Sequence, residues 1–173
     1  MKPIIIKKKQ MTLLGFDFYG DPFQSSGGWS EENEIGRVWQ RFERFLAQQS
    51  GLYENRRVED VMYELHIEHE ETRTQGVFEV FVGFEVDSLD QVPVELLVKI
   101  LPPSTYAVFT LSGEQISSDW MMKIHTEWLP NSGFRIAHNY NFQLYDHRFK
   151  GVDNLAESSI DVYIPVTEDG DPS

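Results

Sequence analysis

The stretch NFQLYDHRF, residues 141–149, reads as a β-strand, because Phe142 and Leu144 alternate with polar positions at a period of two. The other face of that strand carries Gln143 and Tyr145, an amide beside an aromatic ring. A strand beside bulk water carries polar residues by default, so the pair acquires meaning only from what faces it. A second stretch gives it a context. VMYELHI, residues 61–67, has the same alternation, and YELH (63–66) aligns over FQLY (142–145), which sets Glu64 over Gln143.

Working outward from these two strands, one pattern occurs twice. Residues 3–19, PIIIKKKQMTLLGFDFY, are extended, and the Gly- and Pro-containing stretch GDPFQSSGGWS (20–30) separates them from a helix. In EENEIGRVWQRFERFLAQQ (31–49), Ile35, Val38, Trp39, Phe42, Phe45 and Leu46 fall at steps of three and four, one stripe of a helix. Ser30 is the expected N-cap, Glu31, Glu32 and Glu34 suit the positive end of the helix dipole, and Gly51 is the expected stop. Strands at 61–67 and 76–86 follow, joined by the polar hairpin EHEETRTQ (68–75).

After DSLDQVP (87–93) the order starts again. LLVKILPPSTYAVFTLSG (96–113) precedes a helix SSDWMMKIHTEWL (117–129), whose Trp120, Met121, Ile124, Trp128 and Leu129 share a side; the strands NFQLYDHRF and SSIDVYIPV (158–166) follow. The expectation is an α+β fold: one domain over 1–173, built as duplicated strand-helix-strand-strand modules (about 3–87 and 94–167) with pseudo-two-fold symmetry. Residues 168–173 are an acidic tail.

Aligning FEVFVG (78–83) over IDVYIP (160–165) allows the faces to be compared. Phe78, Val80, Val82 and Phe84, with Ile160, Val162 and Ile164, form a continuous apolar face expected to pack on the helices, and Tyr63, Leu65, Ile67, Phe142 and Leu144 are placed on that same side. Glu64, His66, Gln143 and Tyr145 are then left for the opposite face, with Glu79, Phe81, Asp161 and Tyr163. That face mixes aromatic rings with a few polar groups, the usual lining of a small-molecule cleft. The expected architecture is antiparallel sheets forming a central ligand cleft, with the helices on the outer side.

Composition narrows the chemistry. A chain of 173 residues can bury a full core without a disulfide or metal staple. The absence of cysteine removes thiol catalysis, Cys-ligated zinc and disulfides, and fits a cytoplasmic location. With 28 acidic against 15 basic residues the formal charge is −13, so direct nucleic-acid binding and an anionic membrane surface are disfavoured. KKK at 7–9 reads as a solvated stretch, MKPIIIKKKQ is too short for a signal-peptide core, and no apolar run approaches a membrane span. HIEHEE (66–71) does not make a zinc site, because a strand puts His66 and Glu68 on one face and His69 on the other. No Ser-His-Asp or Gly-rich phosphate motif is present, and no cofactor is expected. Trp120 and Trp128 read as core residues; Trp39 is the helix tryptophan with the best case for the cleft.

The ordered set GFEVDSLDQVP (83–93), LPPSTYAVFTLSG (101–113), KIHTEWLPNSGF (123–134), FQLYDHRF (142–149) and DVYIPV (161–166), with Trp39 in the first helix, resembles the GyrI-like small-molecule-binding domain. This is the effector-binding domain of AraC-type and multidrug-responsive bacterial transcription regulators, and the resemblance covers roughly residues 3–167. It implies a cleft that accepts hydrophobic, often cationic aromatic compounds, lined here by Trp39, Glu64, His66, Phe81, Gln143, Tyr145 and Tyr163. Many members carry a cleft glutamate at the position aligned with Gln143, so here Glu64 is expected to supply the carboxylate from the opposite wall. Some standalone relatives are hydrolases that use a cleft glutamate and a tyrosine, which would put such chemistry on Glu64 or His66 with Tyr145 or Tyr163; no catalytic residue is assigned. The name-giving members bind gyrase. A protein partner, either a regulator or gyrase, is therefore the other expected contact, since the chain offers no room for a helix-turn-helix.

Overall fold

The computed structural model describes residues 2–28, 30–49, 58 and 60–170. Its strands are β1 (Ile4–Lys8), β2 (Met11–Gly20), β3 (Met62–Ile67), β4 (Phe78–Glu85), β5 (Leu97–Leu101), β6 (Ser104–Ser112), β7 (Phe134–Ile136), β8 (Tyr140–Tyr145) and β9 (Ser159–Glu168). The helices are α1 (Glu34–Gln48), α2 (Thr72–Gln75) and α3 (Trp120–Lys123). All nine strands belong to one antiparallel sheet in the order β1-β6-β9-β8-β3-β4-β2-β5, with β7 beside β9. The fold is α+β, as the alternation of patterns implies. Among the described residues no helix is long and apolar enough to cross a membrane.

That order reads alike from its centre in both directions. β3, β4, β2 and β5 run one way, and β8, β9, β6 and β1 run the other. The extended stretch at 3–19 is two strands rather than one, and the second half splits in the same way where Pro102 and Pro103 interrupt the run. Each leading strand crosses over: β1 pairs with β6 of the later half and β5 with β2 of the earlier half, so neither half is complete alone. At the centre, β3 and β8 pair directly, with Glu64 opposite Gln143. The expected facing sheets are thus halves of one sheet, and Glu64 and Gln143 are neighbours rather than groups on opposing walls.

Helix α1 starts three residues later than its acidic run suggests. Asn33 is the N-cap, its Oδ1 accepting from the Gly36 backbone N–H at 2.9 Å while its Nδ2 donates to the Gly28 carbonyl at 2.8 Å. Ser30 instead accepts from the Glu32 N–H, a short turn within the loop. Asn wins because it closes both the helix end and the incoming loop with one side chain. The expected stop at Gly51 lies outside the described residues. At Gly36 a Cβ would meet the Glu31 backbone at 2.5–2.7 Å, so the loop folds against the first turn. Gly36→Ala is expected to cost about 1–3 kcal/mol through this overlap, read as a lower melting temperature.

The second helix is not continuous over 117–129. Asp119 caps α3 by accepting from the Met122 N–H, but the chain then widens into a π-helical turn (Ile124–Trp128) and ends in a 3₁₀ turn (Leu129–Asn131). Pro130, which has no N–H, cannot continue an α ladder there. Trp128 still packs inward, edge-on to Phe109 at 5.2 Å and stacked on Phe134.

The register overturns the expected assignment of faces. Glu64 lies opposite Val82 and His66 opposite Val80, while Gln143 lies opposite both Glu64 and Val162. Cross-strand partners share a face, so Glu64, His66 and Gln143 stand on the side of Val80, Val82 and Val162; α1 buries Val38, Phe42 and Leu46 in one cluster with Val80 and Val82, and Val162 clusters with Trp120 and Ile124. Tyr63, Leu65 and Phe142 take the other side together with Phe81 and Tyr163. That side is a second core to which no helix contributes among the described residues: Met11, Leu13, Leu101 and Tyr106 close over the central strands. Tyr106 and Phe142, two strands apart, bring their rings to 5.3 Å, so the sheet curls around this face.

Candidate functional site

On the helix-bearing face, α1 lies over the earlier half of the sheet and the α3 segment over the later half, leaving the central strands β3 and β8 in the gap between them. A cavity of about 960 Å³ opens there, at the upper end of the size usual for small-molecule sites. Met62, Phe78, Trp120, Met121, Tyr145 and Phe149 supply much of its apolar wall.

At its floor Glu64 is buried, only 4% exposed, and it is held from three directions. Trp39 Nε1 donates to Oε2 at 2.5 Å; His66 Nε2 bonds Oε1 at 2.8 Å, and Gln143 Nε2 donates to the same oxygen at 3.2 Å. An ionised carboxylate only accepts, so the His66 Nε2 facing it carries the proton. Tyr145 donates its hydroxyl to Gln143 Oε1 at 2.9 Å, extending the network by one link. Burial, reinforced by the charge of Glu64, pushes the Tyr145 phenol well above its ordinary value, so it remains protonated. The rings hold one another as well: Trp39 meets Tyr145 edge-on at 5.0 Å, Phe149 meets Tyr145 at 4.9 Å, and Phe78 lies 5.3 Å from His66.

Electrostatics around the cavity have one sign. Glu31, Glu43, Asp60, Glu68 and Asp119 stand at its exposed rim, and no lysine or arginine among the described residues lines it. Burial first and the charge of Glu31 second push Glu43 upward. Asp146 also lines the cavity but is already matched: burial opposes its charge, yet the bonds from Arg148 outweigh that and hold it below the usual carboxylate range. Arg148 reaches Asp161 at the same time, at 2.5 Å, which ties β9 to the β8 end.

Of the residues singled out from the sequence, the structure brings together Trp39, Glu64, His66, Gln143 and Tyr145, all of which line the cavity. Phe81 and Tyr163 are not there. Phe81 is fully buried in the helix-free core, and Tyr163 stacks on Phe142 at 4.5 Å in that same core. Phe78, Trp120 and Phe149 line the cavity although their patterns read as core or went unremarked. Phe149 could have been found: it ends the stretch NFQLYDHRF, four residues past Tyr145.

Comparison with known proteins bears on the fold and the family. Over 164 residues the chain is 27% identical to the transcriptional regulator BrlR of Pseudomonas aeruginosa; the match takes in 94% of this chain but spans only 54% of that relative. Among solved structures, SAV2435 bound to tetraphenylphosphonium superposes with a TM-score of 0.68 at 16% identity, covering 96% of this chain and 94% of that one. An integron cassette protein from the mobile metagenome of Vibrio cholerae gives 0.62 at 16% identity, with 96% of both chains covered. These structures share the fold. The family model described as Cass2, integron-associated effector binding protein, matches residues 4–166, and the chain therefore belongs to that effector-binding family.

Proposed function

We propose that the cavity binds a hydrophobic, aromatic, positively charged small molecule, and that the chain senses or sequesters that compound. The observation that carries this reading is Glu64: a buried carboxylate at the floor of an aromatic cavity with no lysine or arginine in its lining among the described residues. A cation about 4 Å from such a charge gains about 4 kcal/mol at an effective dielectric of 20, before desolvation. The tetraphenylphosphonium complex of a protein with the same fold supports the choice of probe.

The position of Gln143 fits a single-carboxylate design. Gln143 and Glu64 are direct cross-strand partners 3.2 Å apart, so two carboxylates there would repel each other at close range. Gln143→Glu is expected to lower thermal stability and to raise one carboxyl pKa of the pair. Cation affinity should then climb more steeply with rising pH than in wild type, because the second negative charge appears only above that raised pKa. Titration of affinity between pH 5 and 9 measures it.

The Tyr145 phenol, raised by burial, keeps its proton and serves as a hydrogen-bond donor in this network. The test is thermal unfolding and tryptophan fluorescence with tetraphenylphosphonium, followed by recovery of the compound. At a concentration 100 times Kd a ligand specific for the folded state adds about 2.7 kcal/mol, a shift of several degrees. No shift with this or any other lipophilic cation would overturn the reading.

A further inference from the structure

Glu64 offers charge but almost no open acceptor. A carboxylate has about four acceptor positions. Trp39 takes one on Oε2, His66 and Gln143 take two on Oε1, and the side chain is only 5% exposed. Asn141 Oδ1, on the neighbouring strand, is a buried acceptor without a partner among the described residues, and Asn141 lines the same cavity opposite His66.

This arrangement treats two kinds of cation differently. A primary ammonium or guanidinium brings N–H donors that lose water on entry. To bond Glu64 it must either reach the one remaining position, on Oε2 of a side chain only 5% exposed, or displace one of the three resident donors, and each buried donor left unsatisfied costs about 1–3 kcal/mol. A quaternary ammonium or phosphonium has no N–H to satisfy. Its charge sits beneath carbon, which the rings of Trp39, Phe78 and Tyr145 can contact while Glu64 acts at a distance. Resting on the cation-binding reading above, we propose that the donor ring of Trp39, His66 and Gln143 makes this cavity selective for permanently charged, donor-free onium ions over protonated amines, with His66 as the specificity-determining residue. His66 holds that role because its side chain is 20% exposed and lines the cavity, so it is the donor that an incoming N–H would have to replace.

The test uses two probes with one aromatic body, (biphenyl-4-yl)methyl-trimethylammonium and (biphenyl-4-yl)methylammonium, titrated calorimetrically at pH 7 against wild type and His66→Ala. The quaternary probe is expected to bind wild type about tenfold tighter or more. Its three methyl groups contribute to that ratio through buried area, so the decisive quantity is the change in ratio between the two proteins, in which the area cancels. His66→Ala opens Oε1 and should narrow the ratio at least fivefold by improving amine binding. Gln143→Leu, which removes the other donor to the same oxygen, should move the ratio in the same direction and serves if His66→Ala does not fold. Equal affinity of the two probes for wild type, or an unchanged ratio in the variants, overturns the selectivity while leaving cation binding intact. Failure of both probes to bind wild type removes both.

Discussion

Replacing Glu64 with glutamine should weaken tetraphenylphosphonium binding by about 2 kcal/mol or more, close to 30-fold, because the substitution removes the buried charge that answers the cation. Shape and volume are nearly conserved. The amide oxygen can still accept from Trp39 or from His66, though not with the full set of donors now served by the carboxylate. The fold should therefore survive, and the far-ultraviolet spectrum should match wild type. A neutral aromatic of similar size should bind both proteins within a few-fold, which separates loss of charge from collapse of the cavity. Equal affinity of the variant for the cation would mean that the rim carboxylates, not Glu64, supply the attraction.

Phe81→Ala tests the assignment of faces with an effect of similar size on a different observable. Phe81 is fully buried among Tyr63, Leu65, Tyr106 and Phe142 on the helix-free side of the sheet, so its truncation leaves a cavity in a packed core. The expected loss is about 3–5 kcal/mol, a fall in melting temperature on the order of 10 °C. Ligand affinity, measured at a temperature where the variant remains folded, should change little. The opposite pattern, mild destabilisation with lost binding, is what a cleft-lining Phe81 would give, and it would return the ligand to the other face.

Those two experiments mark the boundary between what was legible in the sequence and what was not. Alternation along each strand was readable, and so was the apolar stripe of α1, because the periods of two and 3.6 are local properties of backbone geometry. The alignment of YELH over FQLY brought Glu64 and Gln143 into correspondence, and the sheet makes them direct partners. What alternation cannot supply is the phase of one strand against the next. Apolar content suggested that Tyr63 and Phe142 share a face with Val82, whereas the register sets Glu64 and Gln143 there. A shift of one residue exchanges the two faces, and both faces here are rich in apolar groups, so composition could not choose between them.

The sequence by itself determined the α+β class and the repeated order of elements; of the seven residues it singled out for the cleft, five, Trp39, Glu64, His66, Gln143 and Tyr145, line the cavity. Tertiary structure alone decided that β1 and β5 cross between the halves, and that one curled sheet makes a core of the face holding Phe81 and Tyr163. It also decided that the cavity opens beneath α1 and the α3 segment. The physical reason is that pairing register and sheet curvature arise from contacts between residues far apart in the chain, where Tyr106 meets Phe142 and Trp39 reaches Glu64, and no local periodicity records them.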